Sequence, residues 1–145
     1  TMLNKRENFR TAFAGFDPEK VADFGAEDFR RLMADPGIVR NRLKIEAAMH
    51  NAQHFLDICA EYGGYWNFCL QFVPEKAPVF QEESEIPVQT LESAAMAKEL
   101  KKRGFKFVGP TGCYAFMQGV GLVNDHIERC FRWKEIEEMK DIILK

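Results

Sequence analysis

The chain has 145 residues, 46% hydrophobic and 29% charged, with 13 Phe, a composition that suits one packed domain and excludes a disordered or low-complexity chain. Its 20 Lys and Arg against 22 Asp and Glu give a formal charge of −2, so the whole-chain charge points to no nucleic-acid partner and any such contact must be local. No stretch approaches the roughly 18 uncharged apolar residues of a membrane span, the charged start lacks a secretory pattern, and the four scattered cysteines read as reduced thiols, which together suggest a cytoplasmic protein.

Apolar residues recur at three- and four-residue spacing along almost the whole chain, and no run alternates long enough for a strand, so the expected fold is all-α in a single helical domain over 1–145. Met2, Phe9, Phe13 and Phe16 share one helical face, a pattern already running at residue 1. Asp17-Pro18 is a cap followed by proline at the first helical position, predicting a short helix to about Phe24, and a second runs from Ala26 to Met33 before Asp35-Pro36-Gly37. Asn41 to Tyr62 is the longest helical stretch, ended by Gly63-Gly64. A short aromatic helix follows over Tyr65 to Phe72. Pro74, Pro78 and Pro87 then make Val73 to Gln89 an irregular loop that Val79, Phe80, Ile86 and Val88 are placed to anchor. Trp133 to Lys145, with Ile136, Met139, Ile142 and Ile143 on one face, reads as an amphipathic helix, starting at about 131, that covers the core.

Between about 90 and 118 the pattern is a helix-hairpin-helix: a capped helix from Leu91 to Arg103, the turn Gly104-Phe105-Lys106-Phe107-Val108-Gly109, and a second helix opened by Pro110 and running through Gln118. Glycines at both ends of so short a turn allow a sharp bend, and the second helix starts with unpaired N–H groups at the positive end of its dipole. A phosphate oxygen fits there. Lys101, Lys102, Arg103 and Lys106 form the densest basic cluster of the chain, although such lysines also occur as a plain solvated face.

The run from Leu100 to Gly109, continued by Cys113-Tyr114-Ala115-Phe116-Met117-Gln118 and Gly121-Leu122-Val123-Asn124-Asp125-His126, closely resembles the 3-methyladenine DNA glycosylase I family. Lys5 to Arg10, Phe16 to Ala22, Arg40 to Ile45 and Asn51-Ala52 resemble it too, so the likeness runs from Thr1 to about Cys130. It implies a monomeric enzyme of base-excision repair that binds double-stranded DNA and releases 3-methyladenine. DNA would be held by Gly104, Lys106, Val108, Gly109, Thr111 and Lys102. Bifunctional relatives carry a nucleophilic lysine two residues after the last hairpin glycine; Thr111 stands there, which implies no lyase activity. The aspartate that stabilises the sugar cation in the wider superfamily maps to Asn124 by counting back from the histidine, or to Asp125 by chemistry. Asp125 is equally well placed to cap a helix. Tyr114 and Gln118 are candidate pocket residues.

His126 and Cys130 form H-x3-C, a spacing that on a helix sets an imidazole and a thiolate one turn apart. The resemblance makes them half of a structural zinc site, with a Cys and a His expected in a segment of roughly fifty residues that the family has ahead of the position matching Thr1. That segment also holds the family's base-reading glutamate and stacking aromatics, so the resemblance implies that residues 1–145 alone release little or no base, while the full-length protein is active. His50 and His54 read as ordinary surface or core histidines, since no Cys or acid completes a ligand set. Two other readings use the same helices: a non-catalytic DNA-binding hairpin module, and an all-α interaction protein.

Overall fold

The computed structural model describes residues 2–144, and every regular element among them is helical, in agreement with the all-α expectation. The elements are α1 (Arg6–Ala12), α2 (Pro18–Ala22), α3 (Ala26–Ala34), α4 (Arg42–Tyr62), α5 (Tyr65–Leu70), α6 (Leu91–Lys102), α7 (Pro110–Val120) and α8 (Phe131–Ile143), with 3-10 turns at Leu3–Lys5, Ala14–Phe16 and Glu83–Glu85.

Local chemistry sets most boundaries. The Asp17 carboxylate accepts from the N–H groups of Glu19 and Lys20 at 3.1 and 3.5 Å, starting α2 with Pro18 in its first turn. Asn41 Oδ1 accepts from Lys44 N–H at 3.1 Å to start α4, and Gly63, with φ of 69°, ends it in the left-handed conformation that glycine adopts without strain. Thr90 and Ser93 bond reciprocally at the start of α6, each side-chain oxygen accepting the other's N–H. The helix expected through Met2, Phe9, Phe13 and Phe16 is broken: Ala14, Gly15 and Phe16 all have positive φ, and beyond that break the Phe16 ring still stacks on Phe13, which stacks on Phe9 of α1. Thr1 lies outside the described residues. α5 ends at Leu70, where Phe72 N–H turns back to Cys69 O at 3.0 Å.

Packing divides the chain into two compact units. One is built from residues 1–63 with Arg103–Phe107, the other from Gly64–Lys102 and Val108–Lys145. In the first unit α2 lies along α4, and Ala12, Phe13, Val21, Leu32, Ile38, Ile45 and Ala52 form its core. Each large side chain buried there contributes about 1.5–3 kcal/mol. Arg31 caps the carbonyl of Ala12 at 3.0 Å with its guanidinium over Phe24. In the second unit α6 packs on α7, and Phe68, Met96, Leu100, Met117 and Leu122 are buried. The loop after α5 is anchored by Phe80, which is buried and whose carbonyl accepts from Glu128 N–H, and by the Glu82–Arg129 ion pair; Val79 and Val88 are exposed instead.

All four cysteines are free thiols, and burial pushes the Cys69 thiol up to about 12, leaving it inert. No helix among the described residues is long and apolar enough to cross a membrane.

Candidate nucleic-acid interface

The hairpin turn is shaped within the first unit by α4. Asn51 clasps the backbone of Lys106 on both sides, Nδ2 donating to its carbonyl at 2.9 Å and Oδ1 accepting its N–H at 2.8 Å. His50 Nε2 lies 2.9 Å from Gly104 O, and Gly104 has φ of 94° with its Cα so close to His54 that a Cβ would meet that ring's Nε2 at 2.9 Å. Phe107 is 64% exposed and itself left-handed, with φ of 56°, an uncommon conformation for a bulky residue. Nothing in the residue pattern announces that strained, solvent-facing ring.

This geometry limits what the turn can offer a phosphate. The N–H of Lys106 is spent on Asn51 and cannot meet a phosphate, so the donors facing outward are fewer than the whole span Gly104 to Gly109. Arg103 is not a free cation either: its guanidinium makes a two-pronged pair with Glu61 at 2.6 and 3.0 Å, donates to Tyr62 Oη and lies over the Tyr62 ring. The same pair holds the Glu61 carboxyl below its ordinary range. Lys106 keeps an exposed ammonium, and in the second unit Lys101 and Lys102 are exposed on the last turn of α6.

α7 begins in the second unit at Gly109, whose extended backbone offers no side-chain cap, with Pro110 at the first position. The first bond closing the helix runs from Cys113 N–H to Gly109 O, so the N–H groups of Thr111 and Gly112 precede the ladder and point out along the axis. Among the described residues no bond takes up the N–H of Val108 or Gly109. Thr111 is exposed and Val108 half-buried.

Beyond α7, Gln118, Asn124, Asp125 and His126 line an open pocket of about 340 Å³ together with Ile136 and Ile143 of α8. Asp125 accepts from Gln118 Nε2 at 2.9 Å; it caps no helix, because α8 starts six residues later with Cys130 at its N-cap. Asn124 is 4% exposed and committed to α8, its Nδ2 donating to Trp133 O and Glu137 Oε1 at 2.9 Å each, while its Oδ1 is buried without a partner. Burial works to raise the Glu137 pKa, but the bonds from Lys140 and Asn124 together hold it below the ordinary carboxylate range. Tyr114, expected to line a pocket, is a core residue at 3% exposure; burial first, then the neighbouring Asp125 charge, push its hydroxyl pKa up. α8 also differs from its expected face: Met139 and Ile142 are exposed.

His126 and Cys130 do come together, though not on a helix. A turn closed by Cys130 N–H to Ile127 O brings Nδ1 and Sγ to 3.6 Å. Two donors of a tetrahedral zinc, sulfur at about 2.3 Å and nitrogen at about 2.0–2.1 Å, lie roughly 3.6 Å apart, so the pair fits one edge of such a site. Among the described residues no third His, Cys, Asp or Glu joins them.

Residues 1–133 match the methyladenine glycosylase family. DNA-3-methyladenine glycosylase 1 of Escherichia coli is 49% identical over 132 residues, 90% of this chain and 71% of that protein. A crystal structure of 3-methyladenine DNA glycosylase I superposes with a TM-score of 0.81 at 46% identity, covering 89% of this chain and 72% of that one. Another, of a variant of such an enzyme in complex with 3-methyladenine, gives 0.84 at 36% identity over 90% and 71% of the two chains. Identity at this level over nine-tenths of the chain, with the family match over residues 1–133, places the chain in the methyladenine glycosylase family.

Proposed function

We propose that the protein hydrolyses the N-glycosidic bond of 3-methyladenine in alkylated double-stranded DNA, opening base-excision repair. The observation that carries this is the 49% identity to DNA-3-methyladenine glycosylase 1 over 90% of the chain. In the second unit the exposed ammonium of Lys102 and the N–H groups of Thr111 and Gly112 at the start of α7 suit a phosphate, as does the exposed ammonium of Lys106 in the first, and none of them reads sequence; Gly109 serves through its backbone. Gly104 acts here by permitting the bend, and Val108 by its backbone.

The target nucleotide is extruded first, at an unstacking cost of a few kcal/mol that is smallest for a damaged base. Methylation at N3 gives the purine a positive charge, so the bond to C1′ breaks with its electron pair going to a good leaving group. Water then forms the C1′–O bond and loses a proton. On this reading Asp125 stabilises the cationic sugar and orients the water, with Gln118 fixing the carboxylate. What favours Asp125 over Asn124 is access: Asn124 is buried and bonded to α8. Thr111 has no amine for a Schiff base, so the abasic strand stays intact.

The pair His126 and Cys130 belongs, on the same reading, to a structural zinc ion, which would supply a cross-link and no chemical step. The protein then works as a cytoplasmic monomer. Chromatography of bases released from methylated duplex, with a gel for strand scission, tests the reaction. Free 3-methyladenine over uncut abasic DNA supports it. DNA binding without release points instead to a non-catalytic hairpin module, and neither binding nor release to an all-α interaction protein.

A further inference from the structure

The two histidines of α4 are set on one face four residues apart, and three atoms able to donate a lone pair converge beside them. His50 Nε2 is 3.1 Å from His54 Nε2 and 2.9 Å from the carbonyl oxygen of Gly104. A neutral imidazole bears one N–H, so a single proton on His50 Nε2 has to serve both contacts, and a proton on each Nε2 would set two N–H groups against one another. A small cation satisfies all three atoms at once.

The metrics fit a metal. Two nitrogens 3.1 Å apart, each about 2.0–2.1 Å from a zinc or copper ion, subtend an angle of about 100° at it, within the range of tetrahedral and square geometries. Two rings aimed at such a point would have centroids roughly 4.8 Å apart, and these lie 4.6 Å apart at an interplanar angle of 65°. Asp57 Oδ2 sits 3.6 Å from His54 Nδ1, on the opposite side of the ring. A carboxylate there favours the tautomer protonated at Nδ1, leaving Nε2 its lone pair, the arrangement common behind metal-ligating histidines.

We propose that His50 Nε2, His54 Nε2 and the Gly104 carbonyl form a binding site for a divalent transition metal ion, distinct from the His126–Cys130 pair, with water completing the coordination. No third His, Cys, Asp or Glu ligand converges among the described residues, so the site is exchangeable, not structural. Its place gives it a consequence, because a bound ion joins α4 to the hairpin turn through Gly104.

The test uses the untagged chain in a Cys130→Ser background, which disables the other pair. Cu²⁺ and Zn²⁺ are titrated against a chromophoric chelator, and the Cu²⁺ form is examined by electron paramagnetic resonance. Expected are one equivalent of metal, nitrogen hyperfine structure from two imidazoles, and a loss of affinity of about tenfold or more in His50→Gln and in His54→Gln. The hyperfine pattern is read on the chain with both histidines present, so it decides the matter even if a histidine variant folds poorly. Unchanged affinity in folded His50→Gln and His54→Gln, or a Cu²⁺ spectrum without two nitrogen ligands, overturns the proposal.

Discussion

Asn51→Ala removes the clasp on the hairpin turn while touching none of the groups assigned to DNA. The side chain makes two bonds to the Lys106 peptide, at 2.8 and 2.9 Å, both near solvent. Each such bond contributes about 0.5–1.5 kcal/mol net, and exposure favours the lower half of that range, so the pair contributes about 1–2 kcal/mol. If DNA binding requires the clasped turn, that energy reappears as a roughly 5- to 30-fold weaker affinity. Fluorescence anisotropy with a labelled duplex at fixed salt measures it, and amide exchange at Lys106 reports whether the clasp has opened. Asn51→Asp is the sharper control: it keeps the acceptor for the Lys106 N–H but turns the donor into a second oxygen facing the Lys106 carbonyl. It should do no better than Asn51→Ala. Slow Lys106 exchange in Asn51→Ala, together with unchanged DNA affinity, would refute the reasoning.

The two hairpin cations should separate cleanly: Lys106→Ala lowers the slope of log K against log salt by about 1, whereas Arg103→Ala leaves the slope and lowers the melting temperature, since Arg103 is committed to Glu61 and Tyr62. Gly104→Ala, at φ of 94° and against His54 Nε2, should cost about 1–2 kcal/mol from left-handed strain, measured by denaturant unfolding. Asn124→Ala leaves the Trp133 carbonyl and Glu137 without their buried donor and should cost about 1–3 kcal/mol in the same assay. Glu137 has its folded-state pKa depressed below the ordinary 4.5, so its stabilisation is present above that value and lost as pH falls through the folded-state pKa. Thermal melts from pH 6 to 3 should therefore fall more steeply for wild type than for Glu137→Gln.

The helix ends were legible because they are local: Asp17-Pro18, Asn41, Gly63, Thr90 and Pro110 each act on neighbours a few residues away. The hairpin was legible for the same reason. What shapes its turn was not, since Asn51 and Lys106 are 55 residues apart and Arg103 and Glu61 are 42 apart, and no spacing rule connects such positions. The burial of Asn124 against α8 was not legible either, since the residue order does not say which of two neighbours faces a helix that follows. The break after Phe13 escaped notice because the aromatic spacing there satisfies a helix equally well until three consecutive positive φ angles fold it back. His50 and His54 looked ordinary because their third donor is a backbone carbonyl, which every residue carries.

The claim that these residues serve base excision is tested most directly by incubating the full-length natural protein with methylated duplex DNA and resolving the freed purines by chromatography, wild type beside Asp125→Asn. The account predicts 3-methyladenine but no 7-methylguanine from wild type, an abasic strand that stays uncut, and release reduced in Asp125→Asn by about 10²-fold or more if the carboxylate stabilises the sugar cation. DNA bound by a folded wild-type protein with no 3-methyladenine released, or equal release by the two proteins, would contradict it.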